Sequence, residues 1–451
     1  MFDKLGLSLV VVGALASFHA EAQTMTNMAA LQGLAPLTVL AKTAAGKAAL
    51  GANYTVTGGI QTGEIRQPTL LPFTDQQQQA LRDAFITDGN LADLADGLGT
   101  TLGAAYGASA HYDDRLTYTS VSPAVAALIA YTNATTGADS NSGKYFFANG
   151  TTDGKKPVSS EAIGILTGIG GSPDPFGTNY GLPGGSPGGD AYGDSRPFQT
   201  EHTVLSIVGY DYFNVPADNL VYNQGPIMDL VNSPSFPSGH TTYGFTGSLV
   251  LAELVPERFQ QMIARASEYG NDRILMGAHY AMDVLGGRTL ATYDLAHLLA
   301  NDPAYVGRTL KGAPMIKDYQ AALKAARDDL TTALQAGCGN TVSVCANEDI
   351  GRLSNPAMNE AFYAVTQTYN LPVVYPKNAN VLEDVGKAAP EAGYLLTLAF
   401  PSLTLEQADQ ILTETEGPGG GFLDDGSAFG VYSRLNLYAA AGRAAETAPS
   451  K

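Results

Sequence analysis

His240 closes the run Pro237-Ser238-Gly239-His240, immediately before FTGSLVLAELV, an apolar stretch with the length of a buried helix. Ser238 is a natural N-cap. Gly239 carries no side chain to obstruct the backbone, and the imidazole falls in the first helical turn. A helix N-terminus combines unsatisfied N–H groups with the positive end of the macrodipole, so this stretch suits an anion and the delivery of a proton to it. A second group of reactive types lies downstream in NDRILMGAHYAMDVLGG. Arg273 stands six residues before His279, and Asp283 four residues after it. A four-residue interval puts two side chains on one helical face. A carboxylate so placed can hold one imidazole N–H, fix the tautomer and leave the other nitrogen to attack. Upstream, Arg196 followed by the rigid Pro197 adds another planar donor.

Taken singly, each of these residues has an ordinary structural use. Ser238 can be only a cap, Arg273 and Asp283 only an ion pair, and a lone histidine is most often structural; His111, His202 and His297 are read that way. The joint order and spacing of Arg196-Pro197, Pro237 to His240, and Arg273-x5-His279-x3-Asp283 point instead to one shared site. This set resembles the three-part signature of the PAP2 superfamily. That superfamily contains bacterial class A non-specific acid phosphatases, lipid phosphate phosphatases and vanadium haloperoxidases.

The resemblance implies an all-α, PAP2-type helical bundle and a phosphohistidine mechanism. His279 would be the nucleophile, Asp283 its orienting carboxylate, and His240 the acid for the leaving group and then the base for water. Arg196 and Arg273 would grip the phosphate oxygens, with backbone N–H groups of Ser238, Gly239 and His240 completing the cradle. That scheme uses no metal and no cofactor, because arginines and amides neutralise the charge. Vanadate would enter as an inhibitor or, for a haloperoxidase, as the cofactor. One departure stands out: the family's first motif carries a lysine seven positions before the arginine, and here that position is Gly189. The expectation is that Lys155 or Lys156 reaches back, or that phosphate is held with one cation fewer.

The leading expectation is therefore a metal-independent phosphomonoesterase acting on small phosphorylated substrates at acidic to neutral pH. The alternatives are a vanadium-dependent haloperoxidase, a soluble lipid phosphate phosphatase and a non-catalytic phosphate-binding protein. The balance of 25 Lys and Arg against 43 Asp and Glu gives a formal charge of -18, which argues against nucleic acid and anionic membranes as partners. The start, MFDKLGLSLVVVGALASFHAEAQT, has one lysine, an apolar stretch and Ala20-Glu21-Ala22 as a small-x-small cleavage site. It reads as a secretory signal over residues 1–22, so a periplasmic or secreted location is expected. No later apolar run reaches the ~18 residues of a spanning helix, and no membrane insertion is expected. Cys338 and Cys345 are the only cysteines. In an oxidising compartment their natural reading is a local disulfide.

Helical spacing of apolar residues must position this chemistry, and period-2 alternation is scarce. A helical lead-in over residues 23–110 contains DQQQQALRDAF and GNLADLADGLGTTLGAAYG, with Thr74 and Asn90 as expected caps. The catalytic core spans 111–310. In it Ser122 caps and Pro123 opens a helix, and a Gly-, Pro- and Ser-rich loop is expected from Gly137 to Asp194, broken by one short helix at SSEAIGILTG. Tyr192 is placed at the mouth, and Asp190, Asp194, Asp424 and Asp425 are read as surface acids. A C-terminal helical extension over 311–451 begins with an amphipathic helix at about Pro314 to Gln335.

Overall fold

A computed structural model describes residues 27–69, 71–85, 89–114, 117–174, 191–225, 230–347 and 351–447. The expected signal at 1–22, Gly189 and Asp190 lie outside these residues. The architecture is all-α. The one sheet among the described residues is an antiparallel pair, β1 (Val208–Tyr210) and β2 (Pro216–Asp218), with Val208 opposite Asp218.

The helix Gly239–Leu254 lies at the centre, packed against the helices Pro123–Asn149, Phe259–Leu275 and Ala281–Leu299. Its residues are buried almost throughout, polar His240, Thr241, Thr242 and Glu253 among them. Ser238 caps it as expected, its hydroxyl oxygen accepting the Thr241 N–H. The helix Ala281–Leu299 approaches closely enough to exclude side chains at two positions. A β-carbon on Gly287 would stand 2.5 Å from the Ser238 carbonyl oxygen, and one on Gly286 would stand 2.5 Å from the Phe236 ring. Two adjacent glycines thus let this helix press directly on the segment that precedes His240.

The N-terminal helix Ala44–Thr62 and the C-terminal helices Leu405–Glu414, Ala428–Arg434 and Leu437–Thr447 share one hydrophobic cluster with these central helices. The helix expected near 314–335 runs over Tyr319–Cys338, capped by Asp318, and Cys338 is joined to Cys345 in the expected disulfide. Among the described residues no helix is long and apolar enough to cross a membrane.

Several boundaries differ from expectation. The helix opened by Ser122 and Pro123 does not stop at Gly137; it continues to Asn149. Most of that extra length is buried, so tertiary packing overrides the low helix propensity of Gly137, Asn141, Ser142 and Gly143. The short helix at Ser160–Gly168 is present. Thr74 is not a cap: the helix Phe73–Arg82 starts two residues earlier than that cap implies, with Pro72 at its N-cap. Asn90 does not cap a helix either: it accepts the Ala92 N–H in a turn, and the 3₁₀ turn Leu94–Leu98 that follows has Asp93 at its N-cap. The stretch after it is divided by Gly99, whose φ of 99° separates a short 3₁₀ turn from the helix Thr100–Ser109.

Candidate active site

His279 sits in the turn between two helices. Gly277 adopts a φ of 71°, open to glycine at little cost, and the amides of Ala278 and His279 both donate to the Arg273 carbonyl, at 3.0 and 3.2 Å. This turn folds His279 back over the end of the Phe259–Leu275 helix. Tyr280 is the N-cap of the next helix, and Asp283 is its third residue. Asp283 Oδ2 accepts the Tyr280 amide at 2.8 Å and the Ser235 hydroxyl, and it faces His279 Nδ1 at 3.3 Å. The expected His279–Asp283 pairing is thus formed across a helix start.

The opposite nitrogen, Nε2, lies 2.9 Å from Arg196 Nη1. Arginine can only donate, so Nε2 is the acceptor and Nδ1 carries the proton toward Asp283. His279 is fully buried. Burial, then the charges of Arg196, Lys144, His240 and Arg273, hold its pKa well below the usual histidine range. Asp283 faces the ring through Nδ1, but burial and these neighbouring charges still lower the pKa, which favours the neutral ring. The His240 ring stands 5.8 Å away, centroid to centroid, at 66°, so both imidazoles face one space.

Arg196 is clamped. Nε donates to the Ser233 carbonyl (2.8 Å), Nη1 to the Ala278 carbonyl (3.0 Å), and Nη2 to Ser233 Oγ and the Pro234 carbonyl (both 3.1 Å). Pro197 opens the short helix Pro197–Thr200 and fixes the exit of the chain. Arg273 is also buried, but its bonds lead elsewhere: Nη2 donates to the Ala80 carbonyl at 3.2 Å, and the guanidinium stacks on Tyr269 at 4.9 Å. It acts on His279 through charge, not through a hydrogen bond.

Two expectations about the cradle need correction. The Ser238 amide is already used, donating to the Asp283 backbone carbonyl at 3.0 Å. The Gly239 amide, next in the first turn, makes no backbone bond within the described residues. Lys155 and Lys156 do not supply the missing cation; both are exposed, their amides bonded to Asp153 Oδ1. Lys144 does. It lies on the unexpected extension of the Pro123–Asn149 helix and is buried. Its Nζ donates to the Pro234 carbonyl at 2.7 Å, and its charge acts on His279. Nothing in the 137–149 composition marks it, because the stretch looks like loop.

Three further residues escaped sequence reasoning. Ser235 bonds Asp283 and lies 3.4 Å from His279 Nδ1; its place within the proline-rich run was the available signal. Asp194 is buried, not a surface acid. Its Oδ2 accepts the Phe236 amide at 2.8 Å and its carbonyl the Ser235 amide at 3.0 Å, tying the arginine segment to the Pro-Ser-Gly-His loop. Ser140, one turn before Lys144, is buried with an unpartnered Oγ, 3.7 Å from where a β-carbon on Gly239 would stand. Tyr192 packs edge-on against Tyr145 at 5.3 Å. Asp424 is buried and accepts the Gly420 amide, whereas Asp425 is exposed. His297 is held by Asp302 at 2.7 Å, in the structural role expected. Among the described residues no three His, Cys, Asp or Glu side chains converge as metal ligands.

Residues 186–301, which carry Arg196, His240, Arg273, His279 and Asp283, match the PAP2 superfamily. The chain carries a PAP2 superfamily domain over this span. Lys144 lies outside it. The chain is 45% identical over 64 residues to a non-specific acid phosphatase of Salmonella typhimurium, covering 14% of this chain and 26% of that protein. It is 42% identical over 64 residues to an acid phosphatase of Zymomonas mobilis, covering 14% and 24%. A non-specific acid phosphatase of Providencia stuartii is 38% identical over 72 residues, covering 16% and 29%. The chain thus spans about a quarter of the length of the curated relatives it matches.

Proposed function

We propose that this protein hydrolyses phosphate monoesters through a phosphohistidine intermediate on His279. The observation that carries the reading is the placement of His279: Nδ1 faces Asp283, Nε2 faces Arg196, and the His240 ring stands 5.8 Å away between centroids. Nε2 attacks phosphorus in line, the P–O bond to the leaving group breaks, and His240 gives the departing oxygen its proton. The imidazolium formed at His279 is stabilised by Asp283. His240, now neutral, takes a proton from water. The water oxygen attacks phosphorus, the P–N bond breaks, and phosphate leaves with both histidines restored. Arg196, Lys144 and the Gly239 amide neutralise the equatorial oxygens, and Arg273 adds longer-range positive charge.

On this reading no divalent metal takes part, and the Cys338–Cys345 disulfide supports an oxidising compartment such as the periplasm or the exterior. The test is phosphate release from sugar phosphates, nucleotides and p-nitrophenyl phosphate, with and without EDTA, beside His279→Ala. The expected result is EDTA-insensitive turnover, inhibition by vanadate and loss in the variant. Turnover by His279→Ala at the wild-type rate would overturn the assignment.

Lys144 also gives the haloperoxidase alternative a footing, since vanadate retention benefits from each cation near the pocket and Lys144 adds one. The residues that would hold vanadate are those that would hold phosphate. Halide oxidation after vanadate loading, with no phosphate release from any ester, would favour that activity.

A further inference from the structure

A cleft of about 90 Å³ lies between the helix Ala281–Leu299 and the C-terminal segments around residues 367–373 and 418–423. Its walls include Met282, Leu285, Leu371, Val373 and Phe422. Arg288 lines it too, and Arg288 is almost fully buried. Its Nη2 donates to Tyr363 Oη at 2.5 Å and to the Leu435 carbonyl at 3.3 Å, and its plane stacks on Tyr363 at 4.6 Å. Nη1 has no hydrogen-bond partner, and no carboxylate among the described residues pairs with this guanidinium. Several other polar groups at the wall already have partners. Thr289 donates to the Leu285 carbonyl, Ser433 to the Gly430 carbonyl, and Gln367 Nε2 to the Arg434 carbonyl.

A buried guanidinium without a counter-charge is costly by several kcal/mol, and aromatic stacking offsets only part of that. An anion that also covers apolar wall would relieve both defects. A phosphate dianion fits poorly, because it needs several donors and Arg288 is the one charged side chain at the wall. A carboxylate needs fewer, and planar recognition by guanidinium is its usual partner. Scaled against the ~150 Å³ cavity that admits benzene, this space suits an apolar body of roughly four carbons.

We propose that this cleft is a second binding site, distinct from the phosphate pocket, for a small carboxylate with a short apolar body, with Arg288 as its anchor. The site does not depend on the catalytic reading of His279.

The test uses n-butyrate as probe and full-length protein, with binding followed by calorimetry and by thermal shift against chloride at equal ionic strength. Butyrate is expected to bind and to raise the Tm, whereas n-butylammonium does not. Arg288→Met is expected to weaken butyrate by about tenfold or more. His279→Ala, and saturation of the phosphate pocket with inorganic phosphate, are expected to leave butyrate affinity unchanged. Val373 is half-exposed at the rim, so Val373→Trp fills the cleft without touching the core; it too should abolish binding, and it decides the matter if Arg288→Met does not fold. No butyrate binding by the wild type overturns the proposal. So does unchanged affinity in Val373→Trp or in folded Arg288→Met, and so does competition by phosphate, which would move the ligand into the catalytic pocket.

Discussion

Lys144 lies against Gly239: its Cε is 3.3 Å from where a β-carbon on Gly239 would stand, while its Nζ bonds the Pro234 carbonyl. A cation from a distant helix is thereby delivered to the first turn of the His240 helix, where the macrodipole already favours an anion. Lys144→Met should lower kcat/KM for p-nitrophenyl phosphate by about 10–100-fold. It should also shift the pH profile. The charge of Lys144 is one of the causes that depress the His279 pKa, so its removal lets that pKa rise and moves the acid limb to higher pH. Lys155→Ala and Lys156→Ala should change neither quantity. A Lys144→Met enzyme with wild-type kcat/KM and an unmoved acid limb would remove this lysine from the site.

Asp283 is held on three sides, by the Tyr280 amide, the Ser235 hydroxyl and His279 Nδ1. Asp283→Asn keeps the shape but presents an amide that can stabilise the wrong tautomer, so kcat should fall by about 10²–10⁴-fold. Ser235→Ala leaves the carboxylate with its other partners, and about a tenfold loss is expected. Ser235→Thr, which restores the hydroxyl, should recover most of it. Failure of threonine to rescue, with folding intact by circular dichroism, would show that Ser235 only fills space.

The His240 and His279 rings stand 5.8 Å apart between centroids, room for a phosphoryl group whose leaving oxygen His240 would protonate. A poor leaving group needs that proton and an activated aryl group does not. Replacing His240 by Gln should therefore cost about 10²–10⁴-fold with an alkyl phosphate and far less with p-nitrophenyl phosphate. Equal losses with the two esters would deny it the role of acid.

The residues that could be found in the sequence are those whose spacing is fixed by one turn or one helix start. Ser238 caps, His240 follows, and His279 and Asp283 meet across four residues, because local backbone geometry allows little else. Lys144 could not be found this way. It reaches Gly239 only through tertiary packing of a helix whose glycines, serines and asparagines read as loop, and the segment between it and Arg196 obscures the family's usual interval. The backbone of Ser238 was misassigned for a related reason. Its N–H would be an open first-turn donor if the helix stood alone, but the close approach allowed by Gly286 and Gly287 brings the Asp283 carbonyl to it.

Glu253 makes stability itself depend on pH. It is buried in the helix Gly239–Leu254, and neither carboxyl oxygen has a hydrogen bond. Burial raises its pKa from 4.5 to about 8, with Arg327 opposing. That arginine stands 3.8 Å from Oε2 and spends its Nε and Nη2 donors on the Glu253 and Leu398 carbonyls, so its opposition is weak. The folded protein thus keeps a proton that the unfolded chain releases. Since the folded pKa is the higher one, the contribution to stability is complete below pH 4.5 and is lost as pH rises toward 8. The wild-type Tm should fall across this window, and Glu253→Gln, which cannot ionise, should fall less and melt several degrees higher at pH 8. Some slope will persist in the variant, because Asp409 and Glu416 are each raised by burial to about 7 and act in the same direction. Thermal melts of both proteins from pH 4.5 to 8.5 measure the difference, and parallel curves would show that Glu253 is already ionised in the fold.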